Sequence, residues 1–96
     1  MVEQIVWTVK AKNDLTEILQ YWNNRNKSKS FSTKLTSLIF HQLNLLKEFP
    51  LIGRKTDIKN VFVKVIHNYL LYYELIESTL YILTIQHQKQ YQKKLK

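Results

Sequence analysis

The sequence predicts an α+β fold in the order β-α-α-β-β-β, a helical hairpin packed on a twisted antiparallel sheet. Three observations carry that expectation. Between Ala11 and Phe49 apolar residues recur at helical spacing in two blocks, separated by the polar stretch "NNRNKSKS". From Val61 to His87 the pattern becomes extended and rich in β-branched and aromatic residues. The only proline and the only glycine, Pro50 and Gly53, stand together in "FPLIGRKT", where one pattern gives way to the other. A chain of 96 residues that is 45% hydrophobic and 12% aromatic is expected to form one domain with a genuine core.

The elements follow in order. Residues 2 to 7, "VEQIVW", read as a strand that joins the sheet. Thr8 is placed to cap a helix over about residues 9 to 24, in which Ala11, Leu15, Ile18, Leu19 and Trp22 share one face. Ser28 or Ser30 is the expected cap of a second helix. Its stripe of Phe31, Leu35, Leu38, Ile39, Leu45, Leu46 and Phe49 is interrupted only by Gln42 and widened by Phe40 and Leu43. Pro50 stops that helix because it has no N–H to donate and biases Phe49 away from helical geometry. Gly53 is expected at positive φ in the following turn, with "RKTDIKN" as polar loop. "VFVKVIH", "YLLYYELI" and, after a short "ES" turn, "TLYILTIQH" read as three consecutive strands.

Composition narrows function. Fifteen Lys plus Arg against seven Asp plus Glu give a formal net charge of +8, which favours acidic partners. After Glu77 there is no acid, while Lys89, Lys93, Lys94 and Lys96 make a basic tail. The absence of cysteine removes disulfides and thiolate zinc sites and fits a reducing compartment. No signal-peptide pattern opens the chain and no apolar run approaches a membrane span, so a cytoplasmic protein without a membrane partner is expected. A lone glycine cannot build a phosphate-cradling loop, and His41, His67 and His87 are too scattered for a metal site, so neither cofactor nor metal is expected. What remains is a basic, aromatic surface. On the predicted middle strand Leu70, Tyr72 and Glu74 share one face and Tyr69, Leu71, Tyr73 and Leu75 share the other, and the helices cover one of the two. The open face, with Lys64, Thr84, Gln86, His87 and the rim cations Arg54 and Lys55, would form a positive patch suited to phosphate and bases. A tyrosine-rich sheet with ordinary lysines at its edge accounts for the same residues.

"W-T" before "KAKNDLTEILQYW", the helix end "LNLLKEFPLIGR", the strand "YLLYYE" and the ending "LYILTIQHQKQ" together resemble the RelE/ParE superfamily of bacterial type II toxins, in its ParE-like branch. The likeness covers nearly the whole chain, and Pro50, Gly53 and Arg54 reproduce the family's P-x-x-G-R turn between hairpin and sheet. It implies a growth-inhibiting, plasmid-stabilising toxin that acts on the ribosome and its mRNA or on DNA gyrase and is neutralised by a cognate antitoxin. An acidic antitoxin segment would suit the +8 surface and an exposed sheet edge. Ribonuclease members usually carry arginines where this chain has Phe62 and Leu70, so efficient RNA cleavage is not expected. Arg54, Lys64, His87, Lys89 and Tyr91 are the candidate residues of a rearranged basic site, and His87 matches a histidine of the ParE-like branch. A non-catalytic binding module that kept the fold is the other alternative.

Overall fold

The computed structural model describes residues 2–89. Its elements are β1 (Gln4–Trp7), α1 (Val9–Asn26), α2 (Ser30–Glu48), β2 (Arg54–Lys55), β3 (Val61–Ile66), β4 (Tyr69–Ile76) and β5 (Thr79–His87). The strand, the two helices and the three-strand meander appear where periodicity placed them. The polar loop after Gly53 is shorter than expected, because Arg54 and Lys55 pair with Val63 and Phe62 as a two-residue edge strand.

The sheet runs in the order β1-β5-β4-β3-β2. It is mixed rather than antiparallel, since β1 lies parallel to β5 over Gln4–Trp7 and Thr79–Ile82. The helical hairpin and the meander separate these two strands in the chain, and a crossover of that kind is what parallel pairing requires. Their other neighbours are antiparallel, with a bulge at Tyr72/Tyr73 that shifts the partner from Thr84 to Ile82.

One face of the sheet is covered by helices. Leu35, Ile39, Leu43 and Leu46 of α2 join Phe62, Ile66, Tyr69, Leu71, Tyr73, Leu80, Ile82 and Ile85 in the core, whereas α1 buries only Ala11 completely. Leu15, Ile18 and Leu19 of α1 pack against this core while remaining partly exposed. The expected stripe on α2 therefore holds except at its margins. Phe40 is half-exposed with its ring against Trp7, and Phe49 leaves the stripe because α2 ends at Glu48, two residues before Pro50.

Two local expectations fail. Neither Ser28 nor Ser30 caps α2. Lys29 occupies that position without a side-chain bond, and Ser28 Oγ accepts from the Ser30 amide instead. Gly53 does not have positive φ. The left-handed residues are Lys27, Asn60, His67 and Glu77, at helix and strand junctions. Gly53 is needed for space, because a Cβ there would overlap the Tyr73 hydroxyl and come within 3.0 Å of two carbons of its ring. Tyr73 donates from that hydroxyl to the Pro50 carbonyl at 2.7 Å and accepts from the Gly53 N–H at 3.1 Å.

Candidate functional site

The other end of the sheet is open. β1 stops opposite Ile82, but β5 continues to His87, and the start of α1 takes over its edge. Thr8 caps α1 as the sequence predicts, with Oγ1 accepting from the Ala11 N–H at 3.2 Å. The same hydroxyl donates to the Ile82 carbonyl at 2.7 Å, and the Leu83 carbonyl lies 3.2 Å away. One and a half turns on, Asp14 accepts from the Thr84 hydroxyl and from the Ile85 N–H. Burial pushes the Asp14 carboxyl up, but these two bonds together with Lys10 outweigh it and hold it below the usual carboxylate value. Asp14 thus stands in for the strand that β5 lacks at this point.

Beyond Asp14, α1 and the strand ends diverge into a cleft of about 1060 Å³. Its roof is one stripe of α1 that includes Glu17, Tyr21, Trp22 and Arg25, and its floor includes Tyr69, Gln86, His87 and Lys89. The indole N–H of Trp22 donates to the Tyr69 hydroxyl at 2.6 Å, tying roof to floor. The partly buried Trp22 ring meets Phe31 at 4.6 Å and Tyr21 in a T-shaped contact at 5.1 Å, and the Arg25 guanidinium lies 5.9 Å from its centroid. The His87 ring stands edge-on to Tyr69 at 5.2 Å, and its Nδ1 accepts from the Lys89 N–H at 3.1 Å. Burial raises the Tyr69 phenol above its ordinary pKa despite the bond from Trp22, so Tyr69 is neutral at physiological pH and is not poised as a base.

The predicted site residues divide between the two ends. His87 and Lys89 come together in the cleft. Arg54 lies exposed on the opposite edge of the sheet, three strand spacings from β5, or roughly 14 Å. Lys64 pairs with Leu71, so it points to the helix-covered face and not to the open one where sequence reasoning put it. Thr84 is engaged with Asp14 rather than offered to a patch. Tyr91 lies outside the described residues. Phe62 is buried and stacked on Tyr73 at 5.4 Å and 16°, so core packing holds the position where a ribonuclease arginine was sought. Leu70 is partly exposed, opposite Gln86 and Val65.

Sequence reasoning missed Asp14, Trp22, Tyr69 and Arg25 as members of one site. Lys10, Asp14, Glu17, Tyr21 and Arg25 do repeat at helical intervals, but a polar helical stripe reads first as a solvated face. Among the described residues no group of three or more His, Asp or Glu could hold a metal ion, and no helix is long and apolar enough to cross a membrane.

Comparison with known proteins is consistent from sequence to fold. The family profile described as ParE toxin of type II toxin-antitoxin system, parDE, matches residues 5–91. The chromosomal ParDE toxin–antitoxin system from P. aeruginosa contains a chain that is 20% identical, with a TM-score of 0.74 over 91% of this chain and 96% of that one. The toxin–antitoxin complex RelBE2 from Mycobacterium tuberculosis contains one that is 18% identical, with a TM-score of 0.62 over 91% of this chain and 99% of that one. No curated protein sequence matches the chain.

Proposed function

Because this chain belongs to the ParE toxin family of type II toxin–antitoxin systems, we propose that it arrests growth by binding a component of the replication or translation machinery in the cytoplasm, without efficient cleavage of RNA. A cognate antitoxin silences it, as the toxin–antitoxin character of the structural neighbours supports. With a net charge of +8, an acidic antitoxin segment is the favoured partner chemistry.

The observation that carries the binding-type reading is the dispersal of the candidate residues Arg54, Lys64, His87 and Lys89. Stabilising charge on a phosphate in flight requires donors within hydrogen-bond distance of one point. Arg54 stands on the β2 edge, Lys64 is two strands from β5, and His87 with Lys89 occupies the far end, while Phe62 and Leu70 contribute no charge. Tyr69 and Tyr73 are both held neutral, first by burial, so neither supplies a base. Induced expression in a bacterial host, with separate readouts of protein synthesis, mRNA integrity and DNA supercoiling, tests this reading. Arrest of synthesis or loss of supercoiling with intact mRNA is expected. A culture that grows normally with the protein abundant and folded would leave only a binding module that kept the fold.

A further inference from the structure

We propose that the turn Phe49–Ile52 is a docking knob for a folded protein partner that presents an apolar groove with an acidic rim. The inference rests on the growth-arrest reading for the identity of that partner, the arrested component, and deepens it by assigning a contact surface.

The chain builds the knob rigidly. The Phe49 N–H donates to the Leu45 carbonyl at the end of α2, and the Ile52 N–H donates to the Phe49 carbonyl at 3.2 Å, closing a β-turn with Pro50 and Leu51 at its tip. The Tyr73 hydroxyl holds both sides of this turn, through the Pro50 carbonyl and the Gly53 N–H. The fold thus uses the backbone of the turn and leaves its side chains outside. Phe49 is 56% exposed, Leu51 69% and Ile52 48%, and none of the three belongs to the core or to the partly buried residues packed on it. A fixed turn that keeps three large apolar side chains in water loses little freedom when a partner covers them.

Shape and charge select the partner. Neither the α1–β5 cleft nor the recess at Val2, Asn44, Lys47 and Glu48 is lined by these three residues, so the turn stands out from the surface and the partner supplies the groove. A preformed groove belongs to a folded protein and not to a short flexible segment. Leu51 and Ile52 offer no plane on which a base could stack and no donor for a phosphate, which disfavours RNA. Lys47, Arg54 and Lys55 flank the turn, exposed and, among the described residues, without a carboxylate partner. Glu48 is the only acid from Lys47 to Lys55, so the local surplus is positive and suits an acidic rim. A second copy docked knob to knob would set these cations against each other.

The test pairs growth with binding. The full chain is expressed in a bacterial host without any antitoxin, so that arrest reads the target contact alone. The purified chain is titrated separately with DNA gyrase and with ribosomes. Saturable binding to one of them is expected. Leu51→Asp/Ile52→Asp should keep the melting temperature, abolish arrest and lower that affinity about tenfold or more. Val9→Asp, at a 74% exposed residue at the start of α1, should still arrest growth and change affinity less than about threefold. Should the double variant fail to fold, Lys47→Glu/Lys55→Glu supplies the same readout, with a loss of about fivefold or more that shrinks as salt rises. Binding to neither probe, or affinity that both double variants leave unchanged, would overturn the proposal. Binding that a single-stranded RNA displaces would overturn it in favour of nucleic acid, and partition onto phosphatidylglycerol vesicles that Leu51→Asp/Ile52→Asp abolishes would do so in favour of a lipid surface. Arrest that persists in the folded double variant would sink this inference alone. A culture that grows normally, with gyrase or ribosome binding that the turn variants weaken, would sink the growth-arrest reading and leave the docking assignment standing.

Discussion

Tyr69 and Tyr73 stand four residues apart on the same face of β4, and both are buried. Each fixes a different end of the molecule with its hydroxyl. Tyr73 is fully enclosed and satisfied twice, by the Pro50 carbonyl and the Gly53 N–H, with Phe62 stacked against its ring. Tyr69 is bonded once, by Trp22, and borders a cleft that water enters. The first arrangement closes the joint between helical hairpin and sheet. The second props α1 off the strand ends and leaves aromatic and cationic side chains on the cleft wall. One end of the sheet is closed by folding, and the other stays open.

Substitutions at the closed end should therefore cost stability, and those at the open end should spare it. The largest loss is expected for Leu46→Ala, in the last turns of α2 that deliver Pro50 to Tyr73. It should lower unfolding free energy by about 2–5 kcal/mol in denaturant melts, because Leu46 is wholly buried. Leu38 is only partly buried, so Leu38→Ala should cost about half as much. Next comes Gly53→Ala, where the added methyl meets the Tyr73 hydroxyl and overpacking should cost roughly 1–3 kcal/mol. Much of that loss should disappear in a Tyr73→Phe background, and a purely additive double-mutant cycle would show that the overlap is not its origin.

Tyr73→Phe itself strands a donor and an acceptor in a closed site and should cost about 1–3 kcal/mol. Tyr69→Phe strands only the Trp22 N–H, which cleft water can reach, and should cost about 1 kcal/mol or less. Equal losses would erase the distinction between the two ends. The smallest effect is the pH dependence added by Asp14. Its folded pKa is depressed, so its contribution is fully present above the unfolded carboxylate pKa and is lost as pH falls below about 4 toward the folded value. Asp14→Asn should flatten that part of the stability–pH profile.

Periodicity made the closed end legible and left the open end hidden. Helical spacing from Phe31 to Leu46 and alternation from Val61 to His87 record burial directly, since a residue's face follows from its position. The role of Gly53 was misread because sequence shows that a position needs glycine, not whether the need is for φ or for space. Only the fold brings Tyr73, twenty positions away, against it. The parallel pairing of β1 escaped for a similar reason: two short strands far apart in the chain carry no mark of their mutual direction. The cleft depends on contacts of the same long range, Trp22 with Tyr69 and Asp14 with Ile85, which no local pattern encodes. Lys64 went to the wrong face because the face of β3 was not tied to that of β4, and one residue of register reverses it.

The claim that Arg54 and Lys64 do not converge with His87 and Lys89 into a nuclease site is most directly tested by incubating the purified protein with ribosomes halted on a defined mRNA and mapping the 3′ ends of that message. Full-length mRNA, with A-site cuts no more frequent than in ribosomes alone, is the predicted result. Discrete A-site cleavage that Arg54→Ala or Lys64→Ala abolishes, with melting temperature unchanged, would contradict it and place a working basic site on the edge of the sheet opposite the cleft.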